Sequence, residues 1–216
     1  MGIEIIVVLL CYGVGLSGTL WGEARESPRI KLLFKPLAST GFIFAAIFSG
    51  ALKSDYGTLI LVGLVLSFMG DVLLISMDPR AFRGGLVSFL LGHVAYAVAF
   101  AGLGPSWGWC MGAGIPLVVV GVVVMRWLGP HLGKMFLPVV AYVVVITAMV
   151  VLASGTVGID GGAVRVAGAV AFFLSDLSVA RDRFVAKGFI NRAWGLPMYY
   201  GGQLLLAYSC LFTVGV

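Results

Sequence analysis

Two aspartates inside apolar segments are the residues of this sequence best suited to chemistry. Asp71 lies in the apolar stretch 57–76 and Asp176 in the stretch 163–180. A charged group inside a membrane costs at least about 2.5–3.5 kcal/mol on insertion scales, so such residues usually have a role. At a helical rise of 1.5 Å per residue, each carboxylate lies about 6–8 Å inside the same end of its helix. The sequence therefore predicts that both carboxylates belong to one site.

Small residues accompany both aspartates and indicate which way they face. One helical arc around Asp71 carries Gly63, Ser67 and Gly70, and the arc around Asp176 carries Gly168, Ala171 and Ser175. Small residues at this spacing mark close helix packing in membranes. We expect both carboxylates to face the interior of a helix bundle, with Ser175 beside them. For either aspartate alone, the alternative is a buried group capped by hydroxyls or backbone.

Polar and aromatic residues of two other segments are candidates for the wall of this site. Phe89, His93, Tyr96 and Phe100 share one face of a helix, and Tyr199, Tyr200 and Gln203 share another. Beside two carboxylates, His93 is a candidate orienting or proton-relay group. Tyr96, Tyr199, Tyr200 and Gln203 are candidates to bind or orient a substrate. The alternative for His93 is a satisfied core histidine, and for Tyr199, Tyr200 and Gln203 it is a structural contact between helices.

The elements that carry these residues are predicted to be membrane helices. The chain of 216 residues is 61% hydrophobic and 11% charged, whereas a soluble domain carries about 25% charged residues. We predict an all-α, polytopic membrane protein with one transmembrane domain over 1–216. The eight predicted transmembrane segments are 3–20, 34–51, 57–76, 82–103, 111–128, 135–153, 163–180 and 194–214.

The basic residues predict the orientation of the bundle. Twelve of the 14 Lys and Arg residues fall at the loops after segments 1, 3, 5 and 7, and Lys53 and Arg165 fall on the other side. The positive-inside rule places the twelve in the cytoplasm, both termini outside and the aspartates toward the cytoplasmic leaflet. We expect a bacterial inner or cell membrane. Four arginines lie just beyond the Asp-bearing segments, namely Arg80, Arg83, Arg181 and Arg183. Topology alone explains them, although they could also hold a lipid phosphate.

A weak internal similarity is consistent with two parallel four-helix repeats, 1–104 and 105–216. Lys31–Pro36 opens segment 2 and Lys134–Pro138 opens segment 6, while Asp71 and Asp176 lie near the ends of segments 3 and 7. The alternative is that membrane helices resemble one another in composition.

Other classes of site are not indicated. The sequence contains no metal-binding or nucleotide-binding motif and no aromatic-interleaved basic patch. We therefore expect no metal, no cofactor and no nucleic-acid partner.

Several motifs in chain order resemble the lysoplasmalogenase (YhhN-like) family of integral membrane proteins. The matching stretches are Lys35-Pro36, Gly70–Leu74, Phe89–Tyr96, Pro138–Tyr142, Ser175-Asp176 and Tyr199–Gln203. The resemblance implies a membrane hydrolase that cleaves the vinyl ether of a lysophospholipid substrate, releasing a fatty aldehyde and a glycerophospho-ethanolamine or -choline. Protonation of the vinyl ether and stabilisation of the resulting cation call for one protonated and one ionised carboxyl. The sequence does not distinguish which aspartate is which.

Two other functions fit paired membrane carboxylates. A small-molecule or proton-coupled transporter would use them for coupling, and an intramembrane aspartyl protease would use them to hydrolyse peptides.

From the sequence alone, replacing either Asp by Asn removes the cost of burying a charge, so we expect stability to hold or rise.

Overall fold

The computed structural model describes residues 2–76 and 78–213, which form eight α-helices joined by short turns, without a β-strand. The helices are α1 (Ile3–Ala24), α2 (Pro28–Phe48), α3 (Asp55–Leu73), α4 (Pro79–Gly102), α5 (Trp107–Leu132), α6 (Phe136–Gly155), α7 (Gly162–Ala180) and α8 (Phe189–Tyr208). Consecutive helices pack as four hairpins, α1 with α2, α3 with α4, α5 with α6 and α7 with α8. Contacts of α4 with α6, of α2 with α8 and of α2 with α3 join the hairpins into one bundle.

The protein is an integral membrane protein by the length and apolar character of its helices. Six helical stretches are long and apolar enough to cross a membrane, and one of them, Trp107–Gly155, contains both α5 and α6. The outward face of α5 is apolar over several turns, as a lipid-facing surface requires. Its exposed residues include Met111, Ile115, Val118, Val119, Val122 and Val123. The helix α8 is outside the six stretches, because it carries polar side chains that turn inward, so the count of eight crossings stays a prediction.

Two predicted helix boundaries are wrong because proline does not end these helices. The helix α2 starts at Pro28, six residues before the predicted start, and Pro36 lies inside it rather than at its opening. Proline fits the first turn of a helix, and within membrane helices neighbouring hydroxyls can satisfy the freed backbone. The helix α5 likewise continues past Pro130 and ends at Leu132, before Gly133 with its positive φ of 49°.

Two basic residues do not lie at the membrane surfaces where the charge pattern placed them. Lys35 is buried inside the bundle, seven residues after the start of α2. Arg165 is also fully buried, and its guanidinium carbon lies 5.2 Å from the centre of the Tyr56 ring. Both side chains are therefore part of the protein interior. Fewer surface charges are available to fix the topology than the sequence indicates.

Candidate functional site

One cavity of about 100 Å³ contains both aspartates in its wall. Asp71 of α3 is buried, and the Asp176 side chain of α7 keeps 19% of its surface exposed. The rest of the wall is mainly aliphatic and aromatic, with contributions from α4, α5, α6 and α8. Its apolar residues include Leu74, Phe82, Leu86, Phe89, Leu128, Val139, Ile146, Phe173 and Leu196. The site is thus a narrow apolar cavity with two carboxylates in its wall.

The Asp71 carboxylate is surrounded by donors from α2 and α8. Lys35 Nζ lies 3.2 Å from Oδ1, while the Ser39 hydroxyl and the Tyr199 hydroxyl donate to Oδ2 at 2.6 and 2.7 Å. Lys35 and Ser39 are one helical turn apart, so both project from α2 toward the same carboxylate. A buried lysine and two hydroxyl donors stabilise a charged carboxylate. These three donors favour the ionised form of Asp71 over the protonated form.

The Asp176 carboxyl has fewer donors, and among the described residues no Lys or Arg side chain lies beside it. Tyr142 of α6 donates to Oδ2 at 2.8 Å, and His93 Nε2 of α4 lies 3.4 Å from the same oxygen. His93 Nδ1 lies 2.7 Å from the Phe89 carbonyl, an acceptor, so this nitrogen carries a proton. In the neutral ring Nε2 is then an acceptor that faces a carboxyl oxygen. If Asp176 is protonated, its carboxyl can donate to Nε2, and two acceptors no longer face each other.

The two aspartates have partners from corresponding helices of the two halves. Asp71 in α3 contacts α2 and α8, and Asp176 in α7 contacts α6 and α4. Exchanging helices 1–4 with helices 5–8 converts one set into the other. The side chains differ, because Lys35 and Ser39 serve one aspartate and Tyr142 serves the other.

Four of the residues predicted for the cavity wall, namely His93, Tyr96, Tyr200 and Gln203, lie outside its lining. The Tyr96 hydroxyl donates to Gln203 Oε1 at 2.7 Å, which ties α4 to α8 outside the cavity lining. The Tyr200 hydroxyl donates to the Lys35 carbonyl at 3.3 Å. The two tyrosine hydroxyls thus bond between helices, while Gln203 Nε2 has no hydrogen-bond partner among the described residues. His93 is fully buried and reaches the site only through Asp176.

The predicted phosphate-binding arginines are also outside the cavity wall. Arg80 is exposed, and Arg181 donates through Nη1 to Asn191 Oδ1. Ser175 does line the cavity, but its hydroxyl donates to the Phe172 carbonyl at 2.7 Å. Within residues 2–76 and 78–213, no group of three His, Cys, Asp or Glu side chains is placed to hold a metal ion.

Four polar residues of the site were missed as candidates, namely Lys35, Ser39, Tyr142 and Arg192. Lys35 and Tyr142 lie in two of the motifs that carried the family resemblance, so a signal for them was present. The lysine was counted among the basic residues of the loop between segments 1 and 2. Spacing alone gave no signal for Ser39.

Together, the bundle and its cavity define a helical membrane protein with a buried two-carboxylate site. Comparison with known proteins identifies the family within this class. Residues 30–210 match the YhhN family, and the chain belongs to that family. This confirms the resemblance inferred from the motifs.

Named relatives are lysoplasmalogenases. The Bos taurus protein lysoplasmalogenase TMEM86A is 34% identical over 161 residues, which are 71% of this chain and 65% of that protein. The Homo sapiens TMEM86A is 32% identical over the same shares. A lysoplasmalogenase of Mycobacterium tuberculosis (strain CDC 1551 / Oshkosh) is 34% identical over 160 residues, 70% of this chain and 58% of that protein. The match thus spans less than two thirds of these relatives. No solved structure matches the chain significantly.

Proposed function

We propose that this chain hydrolyses the vinyl ether bond of lysoplasmalogens and releases a fatty aldehyde and a glycerophospho-ethanolamine or -choline. The unequal environments of two carboxylates in one cavity carry the proposal. Lys35, Ser39 and Tyr199 surround Asp71, whereas Asp176 faces a histidine nitrogen that lacks a proton in the neutral ring. The relatives named lysoplasmalogenase support the substrate class.

The two environments assign different roles to the aspartates. Protonated Asp176 gives its proton to the β-carbon of the vinyl ether, and the carbon next to oxygen becomes an oxocarbenium ion. Ionised Asp71 stabilises this cation and takes a proton from water as the water oxygen bonds to the cationic carbon. Preorganised charge of this kind is usually a large contribution to catalysis.

The hemiacetal that forms then collapses with the protons returned. Protonated Asp71 gives its proton to the glycerol oxygen, which leaves as an alcohol, while Asp176 takes the proton of the hemiacetal hydroxyl. The carbonyl of the aldehyde forms from the same carbon. One water is consumed, and each aspartate ends in its starting protonation state.

The cavity wall suits a substrate with one hydrocarbon chain. Apolar side chains from α4, α5 and α6 surround the carboxylates, as contact with a hydrocarbon chain requires. An apolar wall lowers the local dielectric constant, which strengthens the interaction between a carboxylate and a cation. We also propose that all eight helices cross the membrane as two four-helix repeats, with both termini outside and the site toward the cytoplasmic leaflet.

Aldehyde release by the purified protein in detergent tests the proposal. We expect aldehyde from 1-alkenyl-glycerophosphoethanolamine and none from the matched 1-alkyl ether, since a saturated ether has no carbon to protonate. A transporter would release no aldehyde from either lipid. Release of fatty acid from a 1-acyl lysolipid at a similar rate would point to a different hydrolase.

A further inference from the structure

The end of the cavity near the α7–α8 connection contains a cation that the proposed chemistry does not use. Arg192 of α8 lies in the cavity wall, and 24% of its side chain is exposed. Phe82 and Phe184 line the same end, with their ring centres 6.2 Å apart. This end of the cavity therefore combines an apolar rim with a partly exposed guanidinium.

A network fixes this guanidinium in place. Arg192 Nη2 donates to Asp182 Oδ2 at 2.8 Å. The other oxygen of Asp182 accepts from the Gly188 backbone N–H at 3.0 Å and from Asn191 Nδ2 at 3.1 Å. Within the described part of the chain, Asp182 is the only hydrogen-bond partner of the Arg192 side chain. A guanidinium has five N–H donors, so most of them remain available to a ligand.

Neighbouring arginines do not offer the same donors to the cavity. Arg181 donates to Asn191, and the Arg183 guanidinium lies 4.2 Å from the centre of the Phe82 ring. Neither lines the cavity. Of these three arginines, Arg192 is thus the one that lines the cavity where a substrate would lie.

The spacing between Arg192 and the carboxylates matches a lysophospholipid. Tyr199, which donates to Asp71, follows Arg192 by seven residues on the same face of α8, a rise of about 10 Å. Seven covalent bonds separate the phosphorus of a lysoplasmalogen from the β-carbon of its vinyl ether. At about 1.2 Å of advance per bond in an extended chain, they span about 8 Å. Lys35, the other basic residue of the wall, lies at the depth of the carboxylates.

We propose that Arg192 binds the phosphate of the lysophospholipid, with Asp182 as the residue that positions its guanidinium. This inference rests on the proposed function and adds the site that holds the headgroup. Binding the phosphate here places the vinyl ether at the depth of Asp71 and Asp176 and directs the hydrocarbon chain along the apolar wall.

The test compares two vinyl-ether substrates, 1-alkenyl-glycerophosphoethanolamine and the phosphate-free 1-alkenyl-glycerol, in purified full-length variants. Arg192→Gln is expected to lower the ratio of kcat/KM for the phospholipid to kcat/KM for the glycerol by about 10- to 100-fold, as the loss of charge-assisted hydrogen bonds does. Arg192→Lys keeps the charge but loses the planar fork, so its ratio should be intermediate. Arg80→Gln, which removes the same charge outside the cavity, should match wild type.

A ratio that stays at the wild-type value in Arg192→Gln would overturn the inference while leaving the hydrolase intact. A binding comparison covers the case in which the protein hydrolyses neither lipid. The non-hydrolysable 1-alkyl-glycerophosphoethanolamine should stabilise wild type against thermal unfolding more than 1-alkyl-glycerol does, and Arg192→Gln should remove the difference. Equal stabilisation of wild type by both lipids would contradict a phosphate site, whatever the reaction.

Discussion

The effect of removing the Asp71 charge on the stability of the protein depends on Lys35. Its ammonium is buried, and Asp71 Oδ1 at 3.2 Å is its charged partner. Breaking a buried ion pair by removing one partner leaves an uncompensated charge in a low-dielectric interior. The sequence-based expectation that Asn at position 71 keeps or raises stability therefore needs correction at this position.

We predict that Asp71→Asn lowers the free energy of unfolding by about 3–5 kcal/mol, the cost of an unpaired buried charge. Lys35→Met combined with Asp71→Asn should restore most of it, because no charge is left unpaired. Thermal unfolding of the purified variants measures both. Asp176→Asn is the matched control, since no Lys or Arg depends on it, and should unfold close to wild type. A single Asp71→Asn variant as stable as the double variant would show that Lys35 does not need its partner.

At the level of single residues, the sequence was most informative where burial is costly. Asp71 and Asp176 stand out because few other residues in the apolar segments are charged. Lys35 does not stand out, since a lysine near the end of an apolar segment is usually a surface charge. Its burial depends on α2 starting at Pro28. Ser27 followed by Pro28 is a helix-start signal, but the charged stretch from Glu23 to Lys35 was interpreted as a loop.

The helices that carry the site are held by close backbone contacts. Gly15 of α1 faces the backbone of Ala38 in α2, and a Cβ on Gly15 would lie 2.5 Å from the Ala38 nitrogen and 2.6 Å from its Cα. Backbone atoms cannot move aside as the end of a side chain can. Since Ser39 follows Ala38, a shift of α2 at this point also moves a donor to Asp71.

We predict that Gly15→Ala lowers stability by about 1–3 kcal/mol, the usual cost of overpacking, and reduces activity through α2. Gly13→Ala is the matched control on the same helix, because a Cβ there meets no atom within 4 Å. It should be neutral or raise stability by up to about 1 kcal/mol. Thermal unfolding and aldehyde release measure the two effects. Equal behaviour of the two variants would contradict a close α1–α2 contact.

At the level of helices, hydropathy located every one of the eight α-helices but not all their ends. The ends at Pro28 and Leu132 were missed, because the stretches from Glu23 to Lys35 and from Gly129 to Lys134 were interpreted as loops. Packing also decided which polar residues of α8 reach the cavity. Tyr199 does so, whereas Tyr200 and Gln203 bond to other parts of the core.

At the level of the whole molecule, the arrangement of partners around the aspartates supports the proposed repeat more than the motifs do. The proline motifs at 36 and 138 differ in position, since Pro36 is inside α2 while Pro138 is in the first turn of α6. The contacts of α3 with α2 and of α7 with α6 correspond, as do those of α2 with α8 and of α6 with α4. Such three-dimensional correspondence is not visible in one sequence.

The orientation of the bundle is testable with a reporter. Even with Lys35 and Arg165 removed from the count, eleven basic residues remain on one side and Lys53 on the other. A reporter fused after Val216, which lies outside the described residues, should therefore face away from the cytoplasm. A fusion after Asp78, in the α3–α4 turn, should face the cytoplasm and serves as the control. The reverse pattern would contradict the proposed placement of the site.

Turnover of lysoplasmalogen by the two Asp→Asn variants tests the paired-acid mechanism most directly. Asp176→Asn and the folded Lys35→Met/Asp71→Asn variant should each lose at least about 10²–10⁴-fold in kcat, because an amide neither gives the proton nor stabilises the cation. Combining all three substitutions should lower kcat little further, since the effects of residues that act as a unit are not additive. Near-normal aldehyde release by either variant, with the other inactive, would contradict the mechanism and leave a single aspartate as the catalytic group.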